Sequence, residues 1–469
     1  MKKAVFLLAV LALVFAIGVP SGGVRAQATS QTWTSSITYY TPSSSSGELN
    51  VYYYQGTQSY TYGPITMNPH KAGSLFIGST SVPDNFAGSA VLSANVPVVA
   101  TYVQFVSDVA QRGNFGRIIY SAFDPSQAAT PFYVPTVLNH AFGSTSQVGV
   151  QNIGDSTITA TLKFYSVGSS TPTISHDQDI EKQASYVFRP DDLGLPSGFS
   201  GSLVVTAGGP VVAASEETDD TGRGAYAFEG VATGAKQLFM PSMLCNAFGG
   251  QTTYYAIQNT SLTASTKVSA SFYDTNGNKI GSGMPATTVT ASNKLPVNPC
   301  DFGVPAGSNG SALFTSDTTD IIGIAKVKSA SGMATAFVGQ SAGFTTQAAP
   351  YVRWASDPNA EFRSYIAIMN VGSAAATNIV ATYYDANGNP FTHNVATSGN
   401  PLGQYIKRGT NPTDAGAPND FGINPVGGAV EITSDQPVVV VVRTQKGVNP
   451  PVSGISLFAE DYNGIEVKP

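Results

Sequence analysis

Apolar and polar residues alternate along almost the whole chain in runs of five to eight, bounded by Gly, Pro, Asn and Ser. A period of two predicts strands with one buried face, and beyond the N-terminal segment no stretch carries the period of an amphipathic helix. One phrase stands out. "FAGSAVLSANVPVVATYVQ" from Phe86 returns as "FSGSLVVTAGGPVVAASEE" from Phe199 and as "VGGAVEITSDQPVVVVVRT" from Val426, with a weaker copy, "SNGSALFTSDTTDIIGIAK", from Ser308. The shared glycines are Gly88, Gly201, Gly310 and Gly428, spaced by 113, 109 and 118 residues. Pro97, Pro210 and Pro437 stand nine residues further on in three copies. A strand, a short polar turn and a proline-led second strand predict a hairpin, because the first residue of a strand need not donate to the ladder.

Other landmarks keep the same step. "VGVQN", "YAIQN" and "IAIMN" end at Asn152, Asn259 and Asn370, and "AYAF", "ATAF" and "ISLF" close the units. Asn276-Gly277 and Asn387-Gly388 predict primed hairpin turns, which need positive φ. Seven or eight strands in each repeat of roughly 110 residues predict an antiparallel two-sheet sandwich. The expectation is therefore an all-β chain of four tandem Ig-like sandwich repeats, at 29–130, 131–236, 237–347 and 348–469, laid out as beads along a rod. The first is shorter and rich in tyrosine. Immunoglobulin domains proper would also show a Cys…Trp…Cys spacing, which does not occur.

The start of the chain reads differently. Lys2 and Lys3 precede an unbroken apolar run from Ala4 to Val19, and small residues around Ala26 and Ala28 fit a cleavage site. This is the pattern of a secretory signal peptide over 1–28, too short for a comfortable membrane span, and it predicts a secreted protein, extracellular or at the cell surface. No second apolar run has spanning length, so no transmembrane segment is expected. The whole chain carries a net charge of −6, and without Lys2, Lys3 and Arg25 the balance is 20 basic to 29 acidic residues. Nucleic-acid binding needs a basic footprint and is not expected.

The two cysteines, Cys245 and Cys300, fall in one unit. Their matched positions elsewhere hold Asn139 with Asp191 and Ser356 with Asn419, as if the side chains touch. A disulfide is expected, as an exported chain permits. Catalytic signatures are thin. His70, His140, His176 and His393 sit at unmatched places, and the G-x-S-x-G of Gly339–Gly343 lies in a connector where a nucleophile elbow would need a following helix. No enzymatic activity and no cofactor are expected. Glu216, Glu217, Asp219 and Asp220 form an acidic cluster that reads either as a Ca²⁺ candidate or as a solvated hairpin tip. "DTNGN" at Asp274 and "DANGN" at Asp385 resemble the start of a calcium loop, but an ordinary turn is the simpler reading. Tyr52, Tyr53 and Tyr54 cannot all face inward on one strand, so an outward ring is a candidate for stacking on a sugar or packing on another subunit.

The ends of the repeats raise one further expectation. Units two, three and four open with "PFYVPTVL", "QLFMPSML" and "AAPYVRW", whereas the first has no such strand once the leader is removed. The chain closes on "GIEVKP", which resembles the beginning of another opening strand. The tail Ile465, Glu466, Val467, Lys468 and Pro469 of one molecule would then add to the open edge of the next, a heterologous contact that builds filaments. The simpler alternative is an array cut where it ends.

Taken together, the repeated sandwich grammar behind a leader resembles the secreted tandem β-sandwich surface proteins of bacteria: adhesin stalks, surface-layer subunits and filament subunits. The resemblance is architectural and carries no functional residues. It implies a non-enzymatic extracellular structural protein that self-associates, with a secreted adhesin or a glycan- or protein-binding module as the alternative.

Overall fold

The computed structural model describes residues 8–14, 33–106, 117–219, 225–359, 361–423, 427–452 and 455–468. The described residues are almost entirely strand, and no α-helix occurs among them. Strands β1 (Leu8–Val14), β2 (Trp33–Tyr40), β3 (Gly47–Gln55), β4 (Gln58–Met67), β5 (Ala72–Phe76), β6 (Gly88–Ala94), β7 (Val99–Val106) and β8 (Ile118–Ser121) form two sheets, ordered β1-β6-β3-β4 and β5-β2-β7-β8. Next come β9 (Phe132–Asn139), β10 (Ser144–Asn152), β11 (Ile158–Ser166), β12 (Ile174–Ile180), β13 (Ser185–Phe188), β14 (Phe199–Ala207), β15 (Val211–Asp219) and β16 (Ala225–Glu229), in sheets β9-β14-β11-β12 and β13-β10-β15-β16. The third group is β17 (Gln237–Cys245), β18 (Thr252–Asn259), β19 (Thr266–Asp274), β20 (Lys279–Val289), β21 (Lys294–Val297), β22 (Ser308–Ser316), β23 (Ile321–Lys328) and β24 (Ala334–Val338). Its sheets are ordered β17-β22-β19-β20 and β21-β18-β23-β24. The remaining strands, β25 (Phe344–Val352), β26 (Arg363–Asn370), β27 (Ile379–Tyr384), β28 (Pro390–Ala396), β29 (Lys407–Thr410), β30 (Gly428–Val452), β31 (Ile455–Asn463) and β32 (Ile465–Glu466), join in one eight-stranded sheet. Every pairing is antiparallel. Facing sheets meet sandwich-like over buried aromatics such as Tyr53, Phe164, Phe272 and Tyr383. Each such ring contributes about 1.5–3 kcal/mol relative to leaving it in water.

The repeated phrase is not the hairpin expected of it. β6 pairs with β3 and β1, while β7 pairs with β2 and β8. β14 and β15 likewise lie in different sheets. The phrase is an arch that carries the chain across the sandwich. Pro97 and Pro210 stand at the corner, where the missing N–H keeps the incoming strand off the ladder it has just left. In the last copy β30 bends through without a break and joins the two halves into one sheet, pairing first with β27 and β25 and then with β26 and β31. The phrase glycines are set by close approach. A Cβ on Gly88, Gly201 or Gly310 would overlap the carbonyl oxygen of Tyr54, Tyr165 or Tyr273 on the neighbouring strand, and on Gly428 it would lie 2.8 Å from Tyr384 O.

The Asn-Gly turns also differ from expectation. Only Gly277 and Gly388 have positive φ, at 85° and 83°. Asp274 and Asp385 accept from the backbone N–H groups two and four residues on, so each is a longer turn tied by its own aspartate. The recurrent Asn152, Asn259 and Asn370 are structural in the same way, each donating its buried amide to nearby backbone carbonyls.

The four groups of strands do not extend as a rod. They touch in a closed circuit, with β8 on β16, β16 on β24, β24 on β31 and β31 on β8. Apolar clusters bridge the junctions: Ile322 packs with Tyr133 and Val204, Met369 and Val439 with Phe239 and Leu313, and Val103 and Ile119 with Ile368 and Val440. At three junctions the serine after the phrase glycine makes the same bond. Ser89, Ser202 and Ser311 donate to the carbonyls of Gln183, Ser292 and Tyr405 at 2.8, 2.7 and 2.6 Å. All three acceptor residues have left-handed backbones, with φ of 59°, 60° and 62°. At the fourth junction Ala429 replaces the serine. There Tyr40 donates to Glu431 at 2.6 Å, and His70, with φ 52°, stacks on Tyr384 at 4.7 Å. The phrase therefore recurs because it serves twice, as the arch of each sandwich and as the joint to the next.

Candidate functional site

The sheets that hold the phrase glycines share one strand place. β9 lies beside β14, β17 beside β22 and β25 beside β30, in each case supplied by the segment that opens its own group. Beside β6 the place is taken by β1, in register from Leu8 opposite Ala94 to Val14 opposite Gly88. Residues 8–14, which the sequence pattern assigns to a leader outside the fold, complete the first sheet. The rest of 1–28, including the expected cleavage region, lies outside the described residues.

The C-terminal residues are engaged within their own chain. Ile465 and Glu466 pair with Ala348 and Gln347, and Val467 N donates to Thr346 O at 3.1 Å. Ile465 and Val467 pack against a cluster containing Tyr40, Val99 and Ala348. Lys468 Nζ lies 3.2 Å from Asp124 Oδ2 and donates to Ser126 at 2.8 Å. Pro469 lies outside the described residues. Matching bridges join Val231 to Tyr133 and Gln340 to Phe239, and from each the chain runs on into β17 or β25. The tail thus follows the path of a connector leading toward an opening strand.

Cys245 and Cys300 form a disulfide closing 55 residues. At the matched place Asn139 donates to Asp191 at 2.8 Å, so a hydrogen bond stands where the other group has a covalent one. Next to Ser356 and Asn419, the Ser356 N–H donates to Asp420. The acidic cluster is not a solvated tip. Glu216 and Glu217 lie buried on β15 and, as neighbours on a strand, face opposite ways. Glu217 is ion-paired with Lys326, and burial alone pushes the Glu216 carboxyl well above its usual range. Asp219 ends β15, and Asp220 lies outside the described residues. Among the described residues no group of three His, Cys, Asp or Glu side chains converges as a metal site. Tyr53 is buried in the core, leaving Tyr52 and Tyr54 half-buried on the opposite face. Ser341 lies in the connector between β24 and β25, with no helix after it.

Two cavities lie where groups meet. One, of about 340 Å³, is lined by the connectors after β8, β16 and β24 and by the tail. Glu229 reaches it from β16, accepting from the Ser121 N–H, and burial raises its carboxyl to about 7. The second, of about 380 Å³, is lined by Leu244, Phe248, Ile366, Lys407, Val441 and Arg443, among others. Lys407 is buried there, and desolvation together with Arg443 lowers its ammonium to about 7. Lys294, at the matched place, is lowered to about 7 by burial and by Lys326, partly offset by Glu217. Sequence reasoning missed Glu229, Lys294 and Lys407. Each stands in a strand of four or five residues, Lys407 directly before Arg408, with no local signal that a neighbouring sandwich covers it.

No protein-family model matches the chain. No curated protein matches it either. Among solved structures, one titled "Crystal Structure of Thermotoga maritima 1070" is similar at 26% identity, covering 19% of this chain and 81% of that one, with a TM-score of 0.17.

Proposed function

We propose that this chain is a non-enzymatic structural subunit of the cell exterior, built of four tandem Ig-like sandwich repeats, that self-associates by strand addition at the edge of β6. One observation carries the reading: the strand beside β6 comes from the leader, whereas the matched strands β9, β17 and β25 come from the body of the chain. Removal of 1–28 bares the N–H and C=O groups on one side of Gly88–Ala94. An open edge of this kind is a template for pairing with another chain. The donor is the C-terminal strand of a second copy, exchanged from its own β25. Its hold there is a two-residue strand, backbone bonds from Gly464 and Val467, the packing of Ile465 and Val467 on the Tyr40 cluster, and the contacts of Lys468 with Asp124 and Ser126, all of which exchange would have to replace. The leader pattern and the disulfide support an exported location.

The test is light scattering and negative-stain microscopy of the chain lacking residues 1–28 over a range of concentrations. The expected result is open-ended oligomers that shorten when a peptide of residues 8–14 is added and disappear when residues 464–469 are deleted. Monodisperse particles at every concentration contradict the reading.

A second reading, an adhesin or a module for glycan or protein, draws on Phe142 and Phe248. These matched rings are 86% and 66% exposed on the tips after β9 and β17. Saturable binding lost on replacing both with serine, by particles that remain monodisperse, would favour it.

A further inference from the structure

The second cavity holds a buried lysine that no carboxylate answers among the described residues. Lys407 is 9% exposed, and its ammonium donates to Asn309 Oδ1. An ammonium has three donors, and among the described residues no carboxylate pairs with this one. The nearby acid is already committed: Asp461 takes Arg443 Nε at 2.9 Å and Nη2 at 2.6 Å, and Arg443 Nη1 reaches Gln251 at 3.3 Å. Phe248 and Tyr365 supply its accessible apolar wall, while Leu244, Ile366 and Val441 line it nearly fully buried.

The preceding junction provides an internal comparison. Lys294 opens β21 as Lys407 opens β29, and the two strands pair in the same way with β18 and β26. Lys294 donates to Thr136 at 2.8 Å and lies in the field of Glu217, which pairs with Lys326. By register Arg443 matches Lys326, and the place of Glu217 is taken by Val327, buried in the apolar core. One junction thus brings a carboxylate from across the interface. The other has a valine there and a cavity beside the lysine.

We propose that this cavity binds an amphipathic monocarboxylate, its head on Lys407 Nζ and its aliphatic or aromatic body against Phe248 and Tyr365. A buried charge left without a partner is costly, and a carboxylate offers a charge-assisted bond to the free donors. The apolar body loses its contact with water. The volume lies within the range of small-molecule pockets. The inference does not depend on self-association.

Decanoate is the probe, titrated into the full chain by calorimetry below its micelle concentration, with decanol as the neutral analogue. The expected result is saturable binding of one decanoate per chain, weakened about ten-fold or more for decanol, a difference of about 1.4 kcal/mol. Lys407→Met should weaken decanoate by a similar factor, whereas Lys294→Met should leave it unchanged. Absence of saturable binding overturns the proposal. So does equal binding of decanol and decanoate, a comparison made on the unaltered chain, or undiminished binding by a folded Lys407→Met variant.

Discussion

At the residue scale, small and unremarked side chains do most to join the sandwiches. Ser311 is buried, and its hydroxyl serves the carbonyl of Tyr405 across a junction. Ser311→Ala should cost about 1 kcal/mol, seen as a lower urea midpoint with an unchanged slope. Gly310→Ala should cost more, about 3 kcal/mol, because a methyl there meets backbone rather than a side chain that can move. The buried titratable groups set a pH dependence with two limbs. Glu229 is raised from 4.5 to about 7 on folding, so the folded chain holds the extra proton between those values. Stability contributed by this group therefore falls as pH rises from about 4.5 to about 7, and Glu229→Gln should flatten that limb. Lys294 and Lys407 are lowered from 10.5 to about 7, so the unfolded chain holds the extra protons between those values. Their contribution rises with pH from about 7 to about 10.5. Urea midpoints measured across both windows check the two signs.

At the scale of elements, the disulfide shows how closely related positions reach different solutions. Cys245–Cys300 closes 55 residues, and in the chain-entropy model its loss should cost about 4 kcal/mol. Asn139 and Asp191 meet at the same place through a hydrogen bond. Replacing both cysteines should therefore lower the melting temperature of the chain, while Asn139→Ala costs about 1 kcal/mol. Calorimetry of the two variants side by side checks the ranking. Alternation makes the strands legible in the sequence, and matched landmarks make this pairing legible there too. What stayed hidden was partnership between elements. The phrase read as a hairpin because two strands joined by a short polar turn look alike whether they pair with each other or cross to a facing sheet. Glu216 and Glu217 read as a loop because a buried carboxylate on a strand carries no mark of that burial in its sequence neighbours. The strand at Leu8–Val14 is hidden because an apolar run behind two lysines has the grammar of a leader.

For the whole molecule, closure is the property that repeat counting did not reach. Three junctions use one serine bond and the fourth uses Tyr40, His70 and Glu431, so the circuit has one joint of distinct chemistry where the first and last groups of strands meet. The tail lies at that joint, packed against Tyr40 and Val99 with Lys468 beside Asp124. Strand exchange from this position would link one closed circuit to the next without opening the three serine joints. In the proposed assembly the edge of β6 is bare once residues 1–28 are removed and is filled by the partner copy. Amide hydrogen exchange over Gly88–Ala94 tests it most directly, on the chain lacking residues 1–28, compared between dilute and assembled samples. Amides on the side opposite β3 should exchange fast when dilute and become protected in the oligomer. Protection already complete in dilute monomer, or fast exchange persisting within the oligomer, would contradict it.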